Sequence, residues 1–257
     1  MTSVDDELFV LLHRENNQVA VYSINDYQQL RHLNVPRYKT NGDSDMTSCV
    51  RHKCLYMSDP ENRCIHRYDL RSPTTLSAKI KRVVGSATSK WSVAGEPRGL
   101  SVTPSCNLLV TCDKPNKLVE LSADSGHGVR EIALQSDIQD PWHSVQLSTG
   151  EFVVCHTEDL NRVCVVGDDG KVTRSYGGQR GRDVGQLNMP CHLAVDKDSQ
   201  FIFVADCGNN RVVLLSPTLE FVRYIEGLSD PCRLYFHQST RRLFVGQYRG
   251  AVNVIEL

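Results

Sequence analysis

Six short apolar runs recur along this chain: LFVL at 8–11, LYMS at 55–58, LLVT at 108–111, FVVC at 152–155, IFVA at 202–205 and LFVG at 243–246. Their starts lie 47, 53, 44, 50 and 41 residues apart. In the first five units an asparagine (Asn17, Asn62, Asn116, Asn161, Asn210) follows and opens a second β-rich run, and Gly250 takes its place in the sixth. A third run follows in most units (VREIAL, VTRSYGG, FVRYIEG). A fourth opens the next unit after a proline: EPRGLSV, DPWHSVQL, MPCHLAV and DPCRLYF, with DMTSCV at 45–50 lacking the proline. Short runs rich in β-branched residues and bounded by Gly, Pro, Asn or Asp are strands, and nothing here keeps a helical period over a dozen residues. Four strands in roughly forty to fifty residues is the signature of a propeller blade. The sequence therefore predicts an all-β, six-bladed β-propeller, one domain spanning 1–257.

The phase of the repeat carries a further expectation. The first unit starts at its second strand and the last stops after its third. The outer strand of blade six and the inner strand of blade one would then lie side by side upstream of Met1, leaving two unpaired edges.

The stretch SYGGQRGRDVGQLNMP at 175–190 invites a phosphate-loop reading, because its glycines permit close backbone approach and its arginines attract anions. A phosphate loop needs a helix N-terminus after it. This one runs from an outer strand into the next inner strand, which begins at Pro190, with Gln186-Leu187-Asn188 as its expected anchor.

The same region carries a family resemblance. Residues 174–217 resemble an NHL repeat in Gly177-x3-Gly181-x3-Gly185-Gln-Leu-Asn-x-Pro190-x-x-Leu-Ala-Val-Asp196, followed by Val204-Ala-Asp206 and Asn210-Arg211-Val212. The other units read as degenerate copies. The whole chain is similar to the C-terminal NHL propellers of tripartite-motif (TRIM-NHL) ubiquitin ligases. That resemblance implies recognition of protein or RNA by the propeller, with ligase activity carried by RING, B-box and coiled-coil segments. This sequence shows no RING-spaced Cys/His series and no heptads.

Charge and composition narrow the function further. With 29 basic and 30 acidic residues the net charge is −1, so any nucleic-acid surface has to be local. The ten cysteines are scattered without close pairs, and the sequence lacks an Asn-x-Ser/Thr site and a secretory signal. They read as buried free thiols of a cytoplasmic protein. Nucleophile-elbow, HExxH, Walker and kinase motifs are missing, so a non-catalytic module is expected.

The Asp-Asn-basic device recurs as Asp59…Asn62-Arg63, Asp113…Asn116-Lys117 and Asp206…Asn210-Arg211, and reads as turn chemistry. Residues following the inner-strand prolines carry more functional information. Arg98, Trp142, His143, Cys191, His192, Cys232 and Arg233, with Cys112, His156 and Cys207 from second-strand ends, should ring one mouth of the central channel. His143, His192 and His156 come from adjacent units and could approach one another, as the metal-binding histidines of NHL-like peptidyl-amidating lyases do. The disulfides and secreted context of those lyases are missing, so no metal or cofactor is expected.

The binding face is assigned to Arg98, Trp142, His143, His192 and Arg233, bordered by Arg180 and Arg182. A protein partner is expected there. The alternative is single-stranded or hairpin RNA, drawing also on Arg174, Tyr248 and the basic run Lys79, Lys81, Arg82. No membrane or DNA partner is expected, and the oligomeric state stays open.

Overall fold

The apolar runs form strands that are buried on both faces, and this determines the architecture. The structure is a computed structural model that describes residues 1–12, 18–34, 44–71 and 87–257. Blade one comprises β1 (Thr2–Val4), β2 (Glu7–Leu12), β3 (Gln18–Ser23) and β4 (Gln29–Asn34). Blade two comprises β5 (Met46–Cys49), β6 (Cys54–Asp59), β7 (Cys64–Asp69) and β8 (Ala87–Ser92). Blade three is β9 (Glu96–Val102), β10 (Leu108–Asp113), β11 (Lys117–Leu121) and β12 (Gly128–Ala133). Blade four is β13 (Pro141–Gln146), β14 (Phe152–His156), β15 (Arg162–Val166) and β16 (Val172–Gly177). Blade five is β17 (Pro190–Val195), β18 (Ile202–Asp206), β19 (Arg211–Leu215) and β20 (Phe221–Ile225), with a 3-10 turn at Cys207–Asn209. Blade six is β21 (Pro231–His237), β22 (Arg242–Gln247) and β23 (Val252–Glu256). Every pairing within a blade is antiparallel.

Strand β10 shows why the chain closes into a six-bladed β-propeller. Successive side chains of a strand point to opposite faces. Leu108, Val110 and Cys112 pack with Tyr56, Ile65 and Trp91 of blade two, while Leu109 packs with Phe152, Val154 and Cys164 of blade four. A strand buried on both sides reads as a continuous apolar run, not an alternating one. Equivalent clusters join blades one to two, four to five and five to six. The ring closes where Met1, Leu8 and Val10 meet Phe244, Tyr235 and Val252.

Closure corrects one expectation. The inner strand of blade one is present: Thr2, Ser3 and Val4 pair with Phe9, Leu8 and Glu7, and all three are buried. It escapes the repeat pattern because it is only three residues long and two of them are polar. Ser3 bonds the Tyr235 hydroxyl of blade six, and Thr2 bonds the Ser48 hydroxyl of blade two at 2.5 Å. Blade six has three strands among the described residues, as the phase of the repeat predicts.

The connection at 178–189 is a clasp between blades four and five. Gly177 has φ 93°, and a Cβ there would lie 2.6 Å from the Asn161 carbonyl, so the position requires glycine. Leu187 is fully buried in the core between the two blades, worth about 2 kcal/mol of transfer free energy. Asn188 N–H donates to Asp206 at 2.6 Å, and Met189 N–H donates to the Asn161 side chain at 2.7 Å. Arg211 completes the clasp from within. Its guanidinium donates to Asp206 (2.7 Å) and to the carbonyls of Arg182 (2.7 Å) and Gln186 (3.1 Å), and it stacks on Tyr224. Asp206 receives Asn209, while Asn210 receives the Asp230 N–H and so ties blade five to blade six. The Asp-Asn-basic device is structural here. Its base pairs within its own blade at Arg211–Asp206 and Lys117–Glu131, and across blades at Arg63–Glu96.

Arg211 is 1% exposed and Asp206 0% exposed, and burial pushes the Asp206 pKa up despite its donors. Removing one partner of such a pair strands the other charge. Arg211→Ala is expected to cost about 3–5 kcal/mol in urea unfolding and to open the 178–189 connection to trypsin at Arg180 and Arg182. An unchanged midpoint together with an unchanged digest would show that the clasp is held by Leu187 and the asparagines alone.

Candidate functional site

The inner strands of blades four to six start with the same local device. A residue with positive φ (Asp140, Met189, Asp230) precedes proline in blades four to six. The pairing register then slips by one residue between Pro141 and His143, Pro190 and His192, and Pro231 and Arg233. A β-bulge re-aims the side chain that follows it. It sets Trp142, Cys191 and Cys232 aside and brings His143 and His192, with Arg233, to one buried carboxylate, Asp45. In blade three the same place is held by Gly99, where a Cβ would fall 2.5 Å from the Trp142 carbonyl and 2.9 Å from the His143 ring. Glycine there makes room for the imidazole. In blade two the place belongs to Asp45, whose carbonyl accepts the Ser58 N–H across the hairpin.

The sequence reading did not nominate Asp45, and the site is organised around it. Asp45 Oδ2 accepts the Leu100 N–H at 2.9 Å and lies 3.5 Å from Nε2 of both His143 and His192. Arg233 Nε stands 3.5 Å from Oδ1, while its other nitrogens donate to the carbonyls of Cys232 and Ser44. The two imidazoles stack with centroids 3.8 Å apart. Burial alone would raise the Asp45 pKa, but His192, Arg233 and His143 outweigh it and hold the group well below the carboxylate range. Burial first, and the closeness of His192 second, push His143 down to about 3, and burial lowers His192. One anion faces one guanidinium and two neutral rings.

The ligand-type atoms of Asp45, His143 and His192 lie within 4.8 Å of one another, a separation compatible with a metal ion. Their hydrogen bonds oppose that use. His192 Nδ1 accepts the Leu234 N–H, which puts the ring proton on Nε2 toward Asp45. His143 Nε2 donates to the Leu100 carbonyl at 3.1 Å. His192 points its N–H at Asp45 and His143 gives its own to the Leu100 carbonyl, so neither Nε2 offers a lone pair to a metal ion.

Arg98 and Trp142 lie beside this cage. The Arg98 guanidinium bridges Asp113 (2.9 Å) and Asp140 (2.6 Å) and sits 4.8 Å above the Trp142 ring. The indole N–H is shared by Asp140 (2.9 Å) and Thr157 (3.0 Å). Asp45, Arg98, Gly99, Trp142, His192 and Arg233, with Cys191, line a tight crevice at this mouth. Five of the residues nominated from sequence thus converge. Two do not join them: Arg180 is exposed and held by the Asn188 amide oxygen, and Arg182 pairs loosely with Glu226 at 3.5 Å. The expectation that His156 approaches the other histidines is also corrected. It turns toward its own hairpin, where it accepts Arg162 Nε at 2.9 Å beside the Cys164 thiol. Arg174 is taken up by Glu151, and the run Lys79, Lys81, Arg82 falls outside the described residues.

The neutral buried histidines fix the sign of a pH dependence. Each takes a proton near pH 6.5 when unfolded, whereas in the fold His143 stays neutral down to about 3 and His156 to about 4. The unfolded state therefore binds more protons, and stability falls as pH drops below about 6.5. Asp45, with its lowered pKa, adds a loss only at more acid pH, where the unfolded carboxylate protonates first. Urea unfolding between pH 8 and pH 5 is expected to lose about 2 kcal/mol for each such histidine, and His143→Gln should remove one share of the slope. An identical slope in the variant would mean that His143 is already charged in the fold.

No known protein family and no curated protein matches this sequence. Several solved structures share its architecture. A chain of a nidogen/laminin complex superposes with TM-score 0.67 at 16% identity, covering 98% of this chain and 89% of that one. The Cps50 (Swd1) β-propeller domain of Myceliophteria thermophila gives TM-score 0.64 at 11% identity, covering 98% and 94%. A streptogramin B lyase gives TM-score 0.64 at 12% identity, covering 100% and 81%. At such identities the likeness is one of fold: this chain is a six-bladed β-propeller.

Proposed function

We propose that the chain is a non-catalytic recognition propeller that binds a protein partner through the face on which the inner strands begin, in the manner of an NHL-type scaffold. The supporting observation is the charge balance of that face. Arg98 is neutralised by Asp113 and Asp140, Arg233 faces Asp45, Lys114 faces Glu96 and Asp113, and Arg182 faces Glu226. Binding of RNA needs several cations free for phosphate, and these are already matched by carboxylates.

Apolar groups stand among these pairs. Val184 is 63%, Met189 48% and Tyr248 65% exposed, on the 178–189 connection and at the end of β22. Aromatic residues, methionine and arginine are the types enriched at protein interfaces. The nidogen/laminin propeller gives a precedent for this fold within a protein complex. The ten cysteines, all free thiols, suit a reducing compartment such as the cytoplasm.

Affinity capture with the purified chain tests the proposal by comparison of variants. Partners retained by the wild type and by Val129→Glu, on the outer strand β12, should be lost from the Met189→Glu/Tyr248→Glu double variant. Selection from an RNA pool at about 150 mM salt should give no enrichment. Equal capture by all three proteins would refute the assigned face. RNA enrichment abolished by Arg180→Glu/Arg182→Glu would establish the nucleic-acid alternative instead.

A further inference from the structure

Blade two departs from blades three, four and five at two nearby positions of its third strand. The first residue of the third strand is Lys117 in blade three, Arg162 in blade four and Arg211 in blade five, and each pairs with a carboxylate. In blade two it is Cys64, directly opposite Asp59 across the β6–β7 pair. Two residues further along, on the same face, the sister blades carry Val119, Cys164 and Val213, packed in the core. In blade two that place is taken by His66. A basic residue and an apolar one are thus exchanged for a thiol and an imidazole, both beside a carboxylate.

The three groups are buried and within reach of one another. His66 Nε2 lies 2.9 Å from Asp59 Oδ2, Cys64 Sγ lies 3.7 Å from the same oxygen, and Cys64 Sγ lies 3.6 Å from His66 Nε2. A tetrahedral zinc ion with ligand bonds of about 2.0–2.3 Å holds its ligand atoms about 3.3–3.6 Å apart. Asn62 orients the carboxylate, donating from its backbone N–H at 3.1 Å to Oδ1 and from its side chain at 2.9 Å to Oδ2. Metal-ligating carboxylates are supported in this way.

We propose that Asp59, Cys64 and His66 form a binding site for a zinc-type divalent cation, with a fourth position open to water. The ion pins the β6–β7 hairpin. Binding deprotonates Cys64: the S–H bond breaks, a Zn–S bond forms and the proton passes to solvent. The carboxylate and thiolate together balance the charge of the ion, and neutral His66 supplies a nitrogen lone pair. Lys90, opposite His66 on β8, is the competing cation.

Cobalt(II) titration of the chelator-treated full chain tests the proposal. One equivalent should produce a thiolate-to-cobalt charge-transfer band, displaced by one equivalent of zinc. Cys64→Ser should abolish the band, and Asn62→Ala should weaken zinc binding about 10–100-fold. Lys90→Met should tighten it. His143→Gln/His192→Gln should leave the band intact, which separates this site from the channel cage. If Cys64→Ser does not fold, alkylation of the wild type gives the answer, because zinc should shield the Cys64 peptide in mass spectrometry. No band, a band that survives Cys64→Ser, or Cys64 alkylation unaffected by zinc would overturn the proposal.

Discussion

A blade of this protein cannot cover its own apolar surface. Its second and third strands are buried on both faces, as in β10 and β11, whose alternate residues enter different inter-blade cores. Each blade therefore needs a neighbour on both sides, and only a closed ring provides that for every blade without leaving an apolar edge. Closure in turn depends on the two ends of the described chain. Met1 and Leu8 pack with Phe244, and Ser3 bonds Tyr235.

Ring closure brings the inner strands together around the axis, where backbone ends and side chains of several blades share a small buried volume. An isolated charge there would be costly. The chain resolves this with one anion, Asp45, enclosed by groups from four other blade positions: Leu100, His143, His192 and Arg233. The cage is therefore first a device of stability. Recognition falls to the surrounding face, where Arg98 lies over Trp142 and where Met189 and Tyr248 are exposed.

The fold was legible in the sequence because double-sided burial makes each blade write an apolar run of its own, spaced by 41 to 53 residues. The prolines marked the inner strands, and so pointed to Arg98, Trp142, His143, His192 and Arg233. Features without those marks were missed. Strand β1 is short and polar, so it writes no run. Asp45 occupies the place of His143 and His192 in its own blade, but no proline precedes it. His156 stands at a strand end as expected, yet a strand end does not say which way a side chain turns, and Arg162 draws it toward the hairpin. The Asp59, Cys64 and His66 group was hidden for a different reason. Its members meet only through the pairing register of β6 with β7, and a lone cysteine within an apolar run reads as core.

The two His-containing clusters separate on the same physical grounds. Around Asp45 the positive charge is already supplied by Arg233, and backbone groups of Leu100 and Leu234 fix both imidazole tautomers with N–H toward acceptors. Adding a cation there would require displacing the ring protons that face Leu100 and Asp45, beside a guanidinium. Around Asp59 the strand position that carries arginine in blades four and five carries a thiol instead. The buried carboxylate keeps its anionic charge, while the group that balances it in blade five is gone. Lys90, across from His66 on β8, is the cation left to face the group. A divalent ion that exchanges the Cys64 proton for a metal–sulfur bond balances both anions and leaves His66 neutral, and so gives the site a charge state that suits its burial.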